Sequence, residues 1–151
     1  KGRNKIYNLK VIGEGSEKKM LISLAKKLLN ANNFNFFGSV YDESLLSDLI
    51  YNSDLCVSPG NIGLTAIHSL SYGTAVASHN NFDNQMPEVE SIIVNENGFL
   101  FKENDENELA NKILSWFNRK EIKKENIRSI IDEKYNPYYQ KKIIDQLILN
   151  G

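Results

Sequence analysis

The sequence predicts an α/β fold, a parallel sheet flanked by helices, and three observations predict it. Residues 54–79, DLCVSPGNIGLTAIHSLSYGTAVASH, read as a strand, a tight loop, a helix and a second strand. Parallel strands need a crossover connection, and a helix is the usual one. Upstream, apolar runs at 6–12 and 35–38 are each followed by a helical pattern, so the alternation repeats. A chain of 151 residues that is 41% hydrophobic and 25% charged has the length and composition of one ordinary globular domain.

Taken in order, residues 6–12 form the first expected strand, with Leu9, Val11 and Ile12 as its apolar content. Gly13-Glu14-Gly15-Ser16 follows, and Ser16 is the expected N-cap of the next helix. There Leu21, Leu24, Ala25 and Leu28 fall at i, i+3, i+4 and i+7, a stripe expected to face the core. The Gly-x-Gly is half of a dinucleotide fingerprint, and a tight strand-to-helix turn accounts for it at least as well as a ligand. Asn35-Phe36-Phe37-Gly38 is the second strand. Ser39-Val40-Tyr41 leads into a helix over 43–51, whose buried side carries Leu45 and Leu49 with Leu46 and Ile50 beside them.

The third strand, 54–58, is broken by Pro59-Gly60-Asn61, because proline lacks a donor and glycine tolerates unusual dihedrals. From Gly63 the pattern is helical, with Leu64, Ile67 and Ser71 on one stripe; Gly73 ends it, and 74–78 is the fourth strand. The loop leaves backbone N–H groups at a helix start, where the partial positive charge suits an anion such as phosphate. The polar loop 80–88 then leaves a strand's carboxyl end, where open α/β sheets place their ligands. Ile92-Ile93-Val94 and residues 98–101 read as short extended pieces around an Asn-Glu-Asn-Gly turn.

Asp105-x-x-Glu108 is a capping box. Leu109, Ile113, Trp116 and Phe117 follow at helical spacing, so Trp116 reads as packing rather than a ligand platform. Residues 120–134 are charge-rich around Ile122, Ile127, Ile130 and Ile131. The terminal helix, 136–150, carries Tyr139, Ile143, Leu147 and Ile148. No repeat or low-complexity linker interrupts 1–151, so one domain is expected.

A net charge of −1 leaves no electrostatic footprint for nucleic acid. One cysteine, Cys56, excludes an internal disulfide, fits a reducing compartment, and between Leu55 and Val57 reads as a buried structural thiol rather than a nucleophile. No apolar run approaches the roughly 18 residues of a membrane span, and no signal peptide stands at Lys1. The start without methionine suggests a processed or excised piece. No Asp-x-Asp pair is placed to hold a metal beside a diphosphate, and two histidines with one cysteine make no zinc set, so no metal or other cofactor is expected.

SPGNIGLTAIHSLSYGTAVASH resembles the donor-site signature of the large retaining family of GT-B glycosyltransferases, the E-x7-E or group 1 family. That signature has a Pro-Ser strand end, an E-G-F-G-L loop, a second glutamate eight residues after the first, small residues, glycine and Pro-Val. Gly63-Leu64, the small-residue helix, Gly73 and Val76 match; the glutamate positions fall on Gly60 and His68. Residues 9–15 are similar to the family's second strand and turn, and the likeness covers residues 6–117. It implies a Rossmann-like sheet, the C-terminal half of a GT-B fold, serving as the nucleotide-sugar (donor) binding domain of a retaining hexosyltransferase. The parent enzyme would move sugar from a nucleotide donor to a saccharide or lipid-linked acceptor in cell-surface polysaccharide assembly. Its setting would be cytoplasmic, with peripheral contact at the inner face of the membrane. A GT-B-type sugar-nucleotide epimerase and a non-catalytic binding or regulatory module stay open as alternatives.

Carried over position by position, the resemblance implies that Gly63, Leu64 and Thr65 bind the diphosphate. His68 would hold the ribose, against a reading as helix packing. Gly60 stands where a glutamate contacts the transferred sugar and has no side chain to do so, which points to Asn61, His79 and the Asn80-Asn81 loop. His79 reads equally as a strand-end histidine. Ser39 and Val40 match the nucleobase loop, and Leu45 is either a wall for the base or helix packing. The family's first strand and helix, with their Gly-Arg and Lys, and its acceptor-binding domain are expected to be missing ahead of residue 6. Lys1-Gly2-Arg3 echoes that Gly-Arg without taking its role. Such a piece is expected to transfer no sugar alone, to close its sheet by rearranged strand pairing or self-association, and to offer Tyr138 and Tyr139 to the missing domain.

Overall fold

The computed structural model describes residues 6–120 and 122–149, so Lys1-Gly2-Arg3 and the last residue of the expected terminal helix lie outside the described residues. The chain divides into two compact units, Lys1–Leu49 and Ile50–Gly151. In the first, β1 (Leu9–Ile12) pairs in parallel with β2 (Phe34–Gly38), and α1 (Lys18–Leu28) is the crossover between them. Gly13, at φ +132°, turns the chain after β1 and donates its amide to the Gly38 carbonyl at 2.7 Å.

Three expectations for this region are corrected. Ser16 does not cap α1: its hydroxyl donates to Glu17 Oε1 at 3.2 Å, and Glu17 occupies the cap position without a side-chain bond. Of the α1 stripe only Ala25 is buried, while Leu21, Leu24 and Leu28 remain 42%, 48% and 72% exposed. A two-stranded sheet is too narrow to cover an 11-residue helix, and these side chains line an open apolar cavity of about 220 Å³ with Leu9, Val11 and Phe36. In α2 (Glu43–Tyr51) burial falls on Leu49 and Ile50, with Leu46 half-buried and Leu45 at 45% exposed. Asp42 caps α2, accepting from the Leu45 amide at 2.7 Å.

In the second unit, β3 (Leu55–Ser58), β4 (Ala75–His79) and β5 (Gly98–Phe101) form a parallel sheet in the order β3-β4-β5. Strand β4 is buried at every residue. On one face Val76 meets Ala66 and Leu70 of α3 (Thr65–Ser71) and Ile127, Ile130 and Ile131 of α5 (Lys124–Lys134). On the other, Ala77, Phe99 and Phe101 meet Leu109, Ile113 and Trp116 of α4 (Glu106–Asn118). Trp116 packs on Phe99 with centroids 5.6 Å apart, so it is a core residue as expected. Among the described residues the strand ladders are β1-β2 and β3-β4-β5.

Helix α3 starts at Thr65, two residues later than expected, and its buried side is Ala66, Ser69 and Leu70 rather than Leu64, Ile67 and Ser71, with Ile62 of the preceding loop buried ahead of it. Small residues let the helix lie close on β4, so the stripe follows size as much as hydrophobicity. Its end is a Schellman motif: Thr74 N–H donates to Ser69 O at 3.0 Å and Gly73 N–H to Leu70 O at 2.9 Å, with Gly73 at φ +68°. Ile92 and Ile93 lie outside any strand, and Val94 makes a single bridge to Gly98. Buried Asn97 shapes that turn, donating to Ser91 O at 2.9 Å and accepting from Ile93 N–H at 2.8 Å.

The capping box at α4 forms in half. Asp105 accepts from Glu108 N–H at 2.9 Å, but the Glu108 carboxylate takes the Lys102 amide at 2.7 Å instead of the Asp105 amide. Helix α6 (Pro137–Leu149) buries no residue; Tyr138 is 85% exposed.

Strands β4 and β5 approach closely at Gly98. A Cβ on Gly98 would stand 2.0 Å from the Val76 carbonyl oxygen, so only glycine fits. Gly98→Ala is expected to lower unfolding stability by more than about 2 kcal/mol, read by urea titration, because overpacking here forces β5 away from the central strand β4. An unchanged midpoint would contradict this packing.

Candidate functional site

The carboxyl ends of β3 and β4 and the loops that leave them make the one polar cluster that the sequence singles out. Strand β3 ends at Ser58 and the chain turns through Pro59 to Leu64 before α3. The Ser78 hydroxyl, at the end of β4, lies 3.1 Å from Ser58 O and 3.3 Å from Gly60 O and donates to this turn. Gln85, from the loop after β4, grips it from both ends of its amide. Its Oε1 accepts the Ile62 N–H at 3.0 Å, while its Nε2 donates to Ser78 Oγ at 2.8 Å and His79 O at 3.2 Å. Ile62 itself is sunk in the core at 3% exposure.

Beyond Ile62, Gly63 adopts φ +45°, a left-handed conformation that favours glycine. This turn throws the Leu64 side chain outward, 73% exposed. The amides of Gly63 and Leu64 donate to no group among the described residues. The Thr65 amide differs from the expected trio, since it donates to Ile62 O at 3.1 Å. Two N–H groups are therefore available where three were expected, and α3, at seven residues, adds a correspondingly short dipole. The Thr65 side chain is exposed. One turn along, His68 N–H closes on Leu64 O at 3.0 Å, and its half-buried ring packs at 5.4 Å from Tyr72.

Gly60 is exposed, with open space where a Cβ would stand, and Asn61 is exposed beside it. His79 has a different environment. Its side chain is 1% exposed, Nδ1 accepts the Asn81 N–H at 3.3 Å, and Nε2 faces Glu103 Oε1 at 3.8 Å. With Nδ1 accepting, the proton of the neutral ring sits on Nε2, towards the carboxylate. Glu103 also accepts from Asn81 Nδ2 at 2.6 Å and Asn84 Nδ2 at 3.2 Å, and these bonds hold its carboxyl below the usual carboxylate range. Burial pushes the half-buried Cys56 thiol up, with the Ser69 hydroxyl opposing, so it is a poor nucleophile as the sequence suggested.

In the first unit Ser39 is exposed, Val40 half-buried, and Leu45 exposed on the first turn of α2. Gln85, Ser78 and Glu103 are the residues that sequence reasoning missed. For Gln85 the signal was a loop rich in side-chain amides, Asn80, Asn81, Asn84 and Gln85, at a strand's carboxyl end. Among the described residues no three His, Cys, Asp or Glu side chains gather as a metal-binding set, and no helix is long and apolar enough to cross a membrane.

A parallel sheet with helices on both faces and its polar loops at the strand carboxyl ends defines an open α/β domain of the Rossmann-like type. Its fold is that of the C-terminal domain of GT-B glycosyltransferases. Residues 1–134 match the model of the family "Glycosyl transferases group 1", and the chain belongs to that family. Among solved structures it is similar to the lipopolysaccharide outer core galactosyltransferase WaaB, at TM-score 0.71 and 18% identity over 95% of this chain and 41% of that one. Anabaena Alr3699/HepE in complex with UDP superposes at TM-score 0.68 with 20% identity, over 93% of this chain and 40% of that one. The C-terminal domain of LpcC, a glycosyl transferase group 1 protein from Francisella tularensis, matches at TM-score 0.69 and 16% identity, over 87% of both chains. The chain thus spans about two fifths of the length of WaaB and HepE. No curated protein matches it.

The Glu103 network carries a pH dependence. A carboxyl whose folded pKa is lowered contributes stability above its unfolded pKa and loses it as pH falls through the folded value. Wild type should therefore exceed Glu103→Gln in melting temperature at neutral pH, with the difference shrinking below about pH 4. A difference that stays constant to pH 3 would place the Asn81 and Asn84 bonds elsewhere.

Proposed function

We propose that the chain is the donor-binding part of a glycosyltransferase that moves a sugar from a nucleotide-sugar to a saccharide or lipid-linked acceptor in polysaccharide biosynthesis. One observation carries the reading: in a pinned turn at the carboxyl ends of β3 and β4, the amides of Gly63 and Leu64 donate to no group among the described residues. Family membership and the fold shared with UDP-bound HepE support it. As the glycosidic bond breaks, negative charge grows on the departing diphosphate. Preorganised N–H donors stabilise that charge without reorganising at the moment of reaction.

In this reading Gly63 and Leu64 hold the diphosphate, with the exposed Thr65 hydroxyl beside them, and His68 contacts the ribose. Sugar contact falls to Asn61 and the Asn80-Asn81 loop, since Gly60 has no side chain and His79 is covered. Retention of configuration is the outcome that the signature at residues 58–79 implies. The absent side chain at Gly60 favours a second reading, a binding module that keeps the donor and transfers nothing. Gly60→Glu fits the open space there, so sugar transfer by the full-length parent gained only in that variant would favour the binding module for the natural protein.

Calorimetric titration of UDP and GDP tests the site. His68→Ala should cost on the order of 0.5–1.5 kcal/mol of affinity, the net worth of one hydrogen bond. Gly63→Val should cost more, because a β-branched residue opposes φ +45° and moves both amides. Unchanged affinity in both variants would remove the site; loss in Gly63→Val alone would return His68 to packing.

A further inference from the structure

We infer that Gln85 is a positioning residue for the donor site: its side-chain amide fixes the 60–64 turn so that the Gly63 and Leu64 amides are aimed before a ligand arrives. The inference rests on the reading of that turn as a phosphate site. A loop between a proline and a left-handed glycine has little secondary structure of its own to hold it. Gln85 supplies what is missing, with Oε1 on the Ile62 N–H at 3.0 Å, Nε2 on Ser78 Oγ at 2.8 Å and on His79 O at 3.2 Å, and the Gly60 carbonyl 3.5 Å away. Both ends of one amide are therefore used, and the residue ties β4 to the turn that follows β3.

The arrangement also decides which donors stay open. With its N–H taken by Gln85, Ile62 stays in the core and its carbonyl receives the Thr65 amide at 3.1 Å, leaving between them the Gly63 and Leu64 amides, which donate to no group among the described residues. Only an amide serves in this place. A carboxylate would still accept from Ile62, but would set negative charge against the His79 carbonyl; a protonated carboxyl would restore one donor. Gln85→Glu should therefore bind poorly at high pH and recover as pH falls, when compared with wild type at each pH. Acid returns the missing proton, so recovery runs from high pH to low.

The test combines UDP titration of wild type, Gln85→Ala and Gln85→Glu between pH 8 and 5 with hydrogen exchange at the Ile62 amide. Positioning predicts about tenfold weaker UDP binding by Gln85→Ala, the loss of more than one hydrogen bond. It also predicts faster Ile62 exchange in that variant and acid recovery of Gln85→Glu. Equal affinity for UDP in wild type and Gln85→Ala, or weakening of Gln85→Glu that is the same at every pH, would overturn the inference. Failure of wild type itself to bind UDP would instead overturn the donor-site reading and, with it, this role. Ile62 exchange would then report only on the turn's tether.

Discussion

The second unit depends on the complete burial of β4. A strand covered on both faces cannot leave a backbone group unpaired, so both its edges must be occupied, by β3 on one side and β5 on the other. Its residues, Ala75, Val76, Ala77, Ser78 and His79, are small enough or polar enough at the right end for this to work. Ala66 and Leu70 come down on one face and Phe99 and Phe101 flank the other. Gly98 is the counterpart on β5, since the Val76 carbonyl occupies the space a side chain would need.

The polar end of β4 turns this packing constraint into chemistry. Ser78 and His79 are buried, so their hydrogen-bonding groups must find partners, and they find them in the loops at the sheet's carboxyl end. Ser78 reaches the turn after β3, and His79 binds the Asn81 amide and faces Glu103, just beyond β5. The loops are thereby tied to the rigid sheet rather than left to solvent. A turn held this way is already ordered, so a ligand binding there would pay little entropy to fix it.

Where a pattern is local the sequence was legible. The strand, Pro-Gly loop, helix, glycine and strand of residues 54–79 depend on neighbours in sequence, and all appear within one or two residues of their expected bounds. Gly73 was readable as a helix end because a left-handed cap suits glycine. The misses required knowledge of what covers each face. Leu21, Leu24 and Leu28 have helical spacing, but only two strands lie beneath them. Leu64 has the spacing of a core residue, yet the turn at Gly63 rotates it to solvent. Of the candidate site, the loop and His68 stood out in the sequence as a motif. Gln85 was not, because a glutamine in a polar loop looks the same whether it is solvated or bridges residues 23 positions away.

The central claim is that the Gly63 and Leu64 amides are the phosphate donors, and amide-resolved NMR during a UDP titration tests it most directly. The account predicts the largest saturable shifts at the Gly63 and Leu64 amides, with smaller ones at Thr65 and His68. It would be contradicted by shifts confined to the cavity of about 200 Å³ at the amino ends of β3 and β4, lined by Trp116, Arg119 and Lys124, with the 60–68 amides unmoved.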